Sequence, residues 1–250
     1  KKADIAMYQA KTQGRNRLCV FDPEMESRVS QRAFLETDLR RALANDEFVL
    51  HYQVQVATDG RPLGAEALLR WRHPERGMVS PMTFIPLAEE TGLIVPIGEW
   101  VLDQVCARLK GWEGDPRLGD LQLAVNVSAR QLRDLDFVDA VRRTLRRQAI
   151  APDRLKLELT EGAILDDVGD SVRKMKVLNS LGVSFSLDDF GTGYSSLAYL
   201  TQLPLSQLKI DQAFVHNIGI KATDDIIVRT IIGMADSLGI EVVAEGVETQ

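Results

Sequence analysis

Glu66, Asn126, Glu158, Asp188, Lys209 and Glu245 each sit inside a separate short apolar run, and Asp189 follows Asp188 directly. Side chains alternate faces along a strand, so each run splits into two sets. Leu155, Leu157 and Leu159 share one face, and Lys156, Glu158 and Thr160 the other. Val125 and Val127 flank Asn126, Leu208 and Ile210 flank Lys209, and Val183, Phe185 and Leu187 oppose Ser184, Ser186 and Asp188. Ala65, Ala67 and Leu69 oppose Glu66, Leu68 and Arg70, and Val242 and Ala244 oppose Glu241, Val243 and Glu245. If the apolar sets pack against surrounding helices, the polar residues converge.

One carboxylate on a strand reads equally well as a paired, satisfied polar group. Six convergent polar residues are a different matter. Two carboxylates about 4 Å apart repel by about 4 kcal/mol at an effective dielectric near 20, and Lys209 with Arg70 cannot neutralise four or five of them. Either several are protonated or cations lie between them. Oxygen donors without His or Cys favour hard ions, so Mg²⁺ or Mn²⁺ is expected, and Ca²⁺ could occupy the same sites. Asp188 and Asp189, adjacent at a strand end, are placed to bridge two ions as in two-metal phosphoryl-transfer sites. The same pair also fits an ordinary turn or helix cap.

The elements that would position these groups alternate. Strand-like runs cover residues 48–54, 65–71, 121–127, 155–160, 183–188, 207–211 and 241–247. Helical patterns cover 34–44, 97–112, 137–148, 168–181 and 224–238. Strand-then-helix order predicts parallel βαβ units, and seven such strands point to a TIM-like (β/α) barrel in an α/β fold. The link from Val54 to Ala65 is too short for a crossover helix and contains Asp59-Gly60, so the first two strands should be antiparallel. Near the start, Ala3, Ala6, Met7 and Ala10 share a helical face, and Leu18 to Phe21 is a strand candidate.

Bulk properties narrow the function classes. The 250 residues are 45% hydrophobic, enough for one large core, and the net charge of −6 with no basic stripe argues against long nucleic acid. Cys19 and Cys106 are far apart and match no thiolate metal pattern, which fits a reducing cytoplasm. Glu89, Glu90 and Glu99 interrupt the most apolar region before it reaches the roughly 18 to 20 residues of a spanning helix. The chain opens at Lys1 with no signal-like segment, so it is expected to be cut from a longer protein, cytoplasmic in this part whether or not the parent is membrane-tethered.

Several strings together resemble the EAL family of bacterial second-messenger phosphodiesterases. They are EALLRW from Glu66, HPERG, PMTFIPLAEETGLI, IGEWVL, NVS at Asn126, ELTE at 158–161, DDFGTGYSSL at 188–197, LPLSQLKID ending at Asp211, and AEGVET at 244–249. Residues 3–21, ADIAMYQAKTQGRNRLCVF, are similar to the last helix and strand of a GGDEF domain. The resemblance implies a GGDEF remnant and linker at 1–24 and an EAL domain at 25–250, with a GGDEF domain in the parent polypeptide. It implies hydrolysis of cyclic di-GMP to linear pGpG with two Mg²⁺ or Mn²⁺ ions. Glu66, Asn126, Glu158 and Asp188 would hold one metal, and Asp188 with Asp189 the second. Lys209 and Glu245 would hold or activate the attacking water, with Glu245 the general base. Gln53 and Arg70 would contact guanine and phosphate, the alternative for Arg70 being an internal ion pair with Glu66 or a neighbour. Glu161 and Glu248 would steady the loop after the fifth strand, and a homodimer is expected.

Two departures accompany the resemblance. Val54 stands where the family has proline, and the sequence stops at Gln250, before an eighth strand and a late substrate-binding glutamine. Gly191 and Gly193 fit a mobile loop or a simple turn, and no Gly-Lys-Ser/Thr follows to make a phosphate-cradling loop. Three rivals stay open: a catalytically silent cyclic di-GMP receptor, an unrelated enolase-like barrel using Lys209 as base, and a folded but inactive truncated chain.

Overall fold

The computed structural model describes residues 2–3, 6–7, 18, 20–191 and 197–247. It divides into two compact units, residues 1–49 with 70–93, and residues 50–69 with 94–250.

The first unit carries helix α1 (Pro23–Ala42), opened by Asp22, whose carboxylate accepts from the Glu24 N–H, with proline in its first turn. Strands β1 (Phe48–Val56) and β2 (Pro62–His73) each cross from one unit to the other, and the short β3 (Gly77–Val79) pairs antiparallel with the end of β2. Helix α2 (Pro81–Thr91) contains Pro86 and stops at Gly92 in the left-handed region. Phe48, Trp71 and Phe84 form this unit's aromatic core, and Glu47 accepts the Trp71 indole N–H at 2.9 Å. Leu18, Val20 and Phe21 lie outside any strand, and Leu18 and Val20 are exposed, so the described residues form no strand where one was expected. Cys19 and most of the expected N-terminal helix lie outside the described residues.

The second unit supplies the rest. In order come α3 (Ile94–Trp112), β4 (Gln122–Val127), α4 (Ala129–Arg133), α5 (Phe137–Gln148), β5 (Leu155–Thr160), α6 (Glu161–Leu165), α7 (Val168–Asn179), β6 (Ser184–Phe190), α8 (Leu197–Leu200), β7 (Gln207–Ile210), α9 (Gln212–Val215), α10 (Ala222–Leu238) and β8 (Glu241–Ala244). The strand order is β1-β2-β4-β5-β6-β7-β8, with parallel pairing from β2 onward. Only Ala57 to Arg61 separate β1 from β2, and the Ala57 N–H bonds the Arg61 carbonyl, so this pair turns back on itself as an antiparallel hairpin. This is a TIM-like (β/α) barrel sheet with an antiparallel first strand and no closing strand: among the described residues, no pairing joins β8 to β1.

The expected parity holds. Leu155, Leu157 and Leu159 are at most 1% exposed, each stabilising the fold by about 1.5–3 kcal/mol through burial. Opposite them, α3 buries Val101, Leu102, Val105 and Leu109, and α5 buries Phe137, Val141 and Leu145. No helix among the described residues is long and apolar enough to cross a membrane.

Candidate active site

The register of the central strands sets the polar residues level with one another. Asn126 is paired with Glu158 and Glu158 with Ser186, while Thr160 is level with Asp188. Immediately after β5, the Thr160 hydroxyl caps α6, so the next residue, Glu161, is turned inward and buried.

Between Leu187 and Phe190 the pairing of β6 with β7 shifts register, and Asp189 adopts φ 55°. In a regular strand Asp188 and Asp189 would face opposite sides of the sheet. A bulge re-aims a side chain, and here it brings both carboxylates to one place. Oxygen atoms of Asp188, Asp189 and Glu245 all lie within 4.8 Å of one another. The Asp189 N–H also donates to Asp188 Oδ1 at 3.0 Å.

Lys209 organises the other carboxylates. It is 2% exposed, and its Nζ lies 2.6 Å from Glu245 Oε1, 2.8 Å from Glu158 Oε2, 3.0 Å from Glu66 Oε2 and 3.3 Å from Asp188 Oδ1. Burial alone would push this ammonium down, but Glu158, Asp188 and Glu66 around it more than reverse that, and its pKa lies above the ordinary lysine value. Burial pushes the Glu158 carboxyl up to about 7, with Lys209 pulling it back and Glu66 and Asp188 adding to the rise. Burial likewise raises Glu245 against the opposing pull of Lys209. Asp189 is raised by burial, by Asp188 and by a hydrogen bond with the Asp211 carboxyl.

The donor set fits divalent ions. One ammonium contacts four carboxylates with Asp189 a fifth beside them, every donor is oxygen, and Glu158 Oε1 is buried without a hydrogen-bond partner. Asn126 donates its amide N–H to Glu66 Oε1 at 2.6 Å, which leaves its carbonyl oxygen as the ligand atom. Glu66, Asn126, Glu158 and Asp188 could hold one ion, and Asp188 with Asp189 a second, leaving Glu245 beside them.

Other expected residues are placed differently. Glu161 accepts a 2.9 Å hydrogen bond from the Tyr199 hydroxyl, both side chains being buried, and so links α6 to α8. Gln53 is exposed on β1, with no hydrogen bond or ion pair to the cluster among the described residues. Arg70 lies on β2 within the first unit, outside the unit that carries the cluster. Glu248 and Gly193 lie outside the described residues. Two residues were missed by the sequence reading. Asp211, which caps α9 by accepting the Ala213 N–H at 2.7 Å, has the strand parity of Lys209 and was open to detection on that ground. Tyr199 carries no comparable signal, because nothing in its spacing marks it as a partner of Glu161.

Comparison with known proteins places this geometry among relatives. The family model described as "EAL domain" matches residues 36–250. MucR of Pseudomonas aeruginosa, a bifunctional diguanylate cyclase/cyclic di-GMP phosphodiesterase, is 47% identical over 249 residues, covering 99% of this chain and 36% of that protein. PdeR of Escherichia coli, a cyclic di-GMP phosphodiesterase, is 42% identical over 249 residues, covering 100% of this chain and 37% of its own length. The chain therefore spans little more than a third of these relatives. The solved structure of the P. aeruginosa MucR phosphodiesterase in complex with c-di-GMP superposes with TM-score 0.83 at 46% identity, over 87% of this chain and 88% of that one.

Proposed function

The chain belongs to the EAL domain family, and from that premise we propose that it hydrolyses cyclic di-GMP, opening one 3′,5′-phosphodiester bond to give linear pGpG. The observation that carries the reading is the ring of Glu66, Glu158, Asp188 and Glu245 around the buried ammonium of Lys209, with Asp189 folded in beside Asp188. Two bound Mg²⁺ or Mn²⁺ ions would lower the pKa of a water and neutralise charge on the phosphoryl oxygens.

The protein's own groups do the rest. Glu245 takes the proton from the attacking water, being the most open of the carboxylates around Lys209. Lys209 fixes Glu245 and Glu158 in place, so that the base and one ligand carboxylate keep a constant separation. A new oxygen–phosphorus bond forms as the phosphorus–oxygen bond to the leaving sugar breaks, and that oxygen leaves as an alkoxide that takes its proton from solvent water. Asp188 belongs to both donor groups and holds them at a fixed distance. Gln53 and Arg70 are proposed to contact guanine and phosphate, and Glu161 and Glu248 to steady the loop after β5.

The proposal extends to the domain boundaries, with a GGDEF remnant at 1–24 and the EAL domain at 25–250. It extends also to a GGDEF domain in the same polypeptide, a homodimer and a cytoplasmic location, with Ca²⁺ as an inhibitor. The test is incubation with cyclic di-GMP and Mg²⁺ or Mn²⁺ followed by separation of products. Accumulation of pGpG is expected. Binding without turnover would replace the enzyme by a receptor, and neither binding nor turnover would remove cyclic di-GMP as the ligand.

A further inference from the structure

Below the carboxylate layer the interior of the second unit remains polar. Lys156 lies on the same face of β5 as Glu158, two residues earlier, level with Ala124 on β4 and Ser184 on β6. Two residues of strand place it about 7 Å beneath Glu158. It is 6% exposed, and among the described residues its ammonium has no hydrogen bond or ion pair. Lysines with so little exposed surface are ordinarily paired, so the charges around this one bear on its role.

The polar groups beside it are neutral and bonded to each other, Ser184 at its own level and Ser186 at the level of Glu158. Gln122 Nε2 donates to Ser184 Oγ at 3.2 Å, and Ser186 Oγ donates to Gln207 Oε1 at 3.4 Å. The charges that face Lys156 are Glu241 on β8, Glu158 above it, and the opposing cation Lys209. Glu241 acts on it most and Glu158 next, so part of its charge is felt upward, in the layer that Lys209 alone leaves under-neutralised.

We propose that Lys156 is a positioning residue for that layer: its ammonium, one pleat beneath Glu158, balances the carboxylates when divalent ions are absent and opposes those ions when they bind. The inference rests on reading the carboxylate layer as a divalent-ion site. A methionine at this position keeps an unbranched chain of similar length without the charge, and an arginine keeps the charge.

Mn²⁺ alone is the probe, titrated into the full chain and followed by the electron paramagnetic resonance signal of free Mn²⁺ and by thermal unfolding. Lys156→Met should bind Mn²⁺ more tightly than wild type by on the order of tenfold and gain more thermal stability from saturating Mn²⁺. Lys156→Arg should match wild type in both. A Lys156→Met chain that folds only with Mn²⁺ present also supports the proposal, because the ions then replace the missing charge. Equal or weaker Mn²⁺ binding by Lys156→Met, or a Lys156→Arg chain that behaves like Lys156→Met, overturns it and leaves the functional reading intact. A wild-type chain that takes up no Mn²⁺ overturns both.

Discussion

Lys209 Nζ stands 2.6 Å from Glu245 Oε1, the shortest of the four carboxylate contacts this ammonium makes. Glu245 is also the most open of the four, with 28% of its side chain exposed against 14% or less for Glu66, Glu158 and Asp188. One carboxylate thus meets both the buried cation and the mouth of the site, where a base must meet water. Glu245→Gln keeps the shape and removes the basicity. Its kcat for cyclic di-GMP should fall about 10²- to 10⁴-fold while KM stays within about threefold, as read by product separation under saturating Mg²⁺. Full activity in this variant would remove Glu245 from the role of base.

Lys209 itself holds the layer together, so its removal should be felt in stability before chemistry. Lys209→Met would leave Glu158, which is 1% exposed, with neither oxygen paired. Breaking a buried charge pair by removing one partner costs about 3–5 kcal/mol. Urea unfolding without metal should show a loss of that size, and Mn²⁺ should restore part of it by screening the exposed repulsion. An unchanged midpoint would mean that the ring of contacts contributes no net stability.

Strand parity made much of this site legible in advance. The leucine alternation of 155–160 fixes which face of β5 carries Glu158, and the same logic places Asn126 and Lys209. The pairing of Asp188 with Asp189 was visible only as a string. Period-two alternation sends them to opposite faces, and only the register shift and the φ of 55° at Asp189 unite them. Helix α2 escaped the pattern reading because Pro86 lies inside it, where local propensity argues for a break. The strand expected at residues 18–21 failed for the opposite reason. Its apolar residues had β-like composition but, among the described residues, no neighbouring strand to supply ladder hydrogen bonds, and Leu18 and Val20 are exposed.

The left-handed backbone at Asp189 permits a clean separation of charge from conformation. Asparagine tolerates that region nearly as well as aspartate, whereas alanine there costs about 1–2 kcal/mol. Asp189→Asn should therefore unfold at close to the wild-type temperature without metal, yet gain clearly less from Mn²⁺ and lose most turnover. Asp189→Ala should lose turnover equally and melt earlier as well. If both variants melt alike, the bulge is not held by the conformational preference of this residue.

Tyr199 and Glu161 form a buried link between α8 and α6 on either side of the proposed mouth. Tyr199→Phe removes a single donor from a buried carboxylate, and hydrogen bonds to charged groups contribute about 1.5–3 kcal/mol. Chemical unfolding should show a loss in that range. Turnover should fall as well, with Mn²⁺ affinity unchanged, since Glu161 belongs to neither of the proposed ion-holding groups. A loss of Mn²⁺ affinity on the same scale as the loss of turnover would instead assign this pair to the metal layer.

Cys106 gives a probe of the helical layer that is independent of the chemistry. It is fully buried in α3, and burial, with a smaller contribution from Asp103, pushes its thiol up to about 12. Only the thiolate reacts with aromatic disulfide reagents, so at pH 8 the group is both shielded and protonated. In a Cys19→Ser background the folded chain should release no measurable thionitrobenzoate at pH 8, and one equivalent after unfolding in guanidinium. Reactivity should appear in step with the loss of helical circular dichroism as denaturant rises. Release that precedes this transition would show that α3 opens locally from its packing against α5 while the rest of the second unit stays folded.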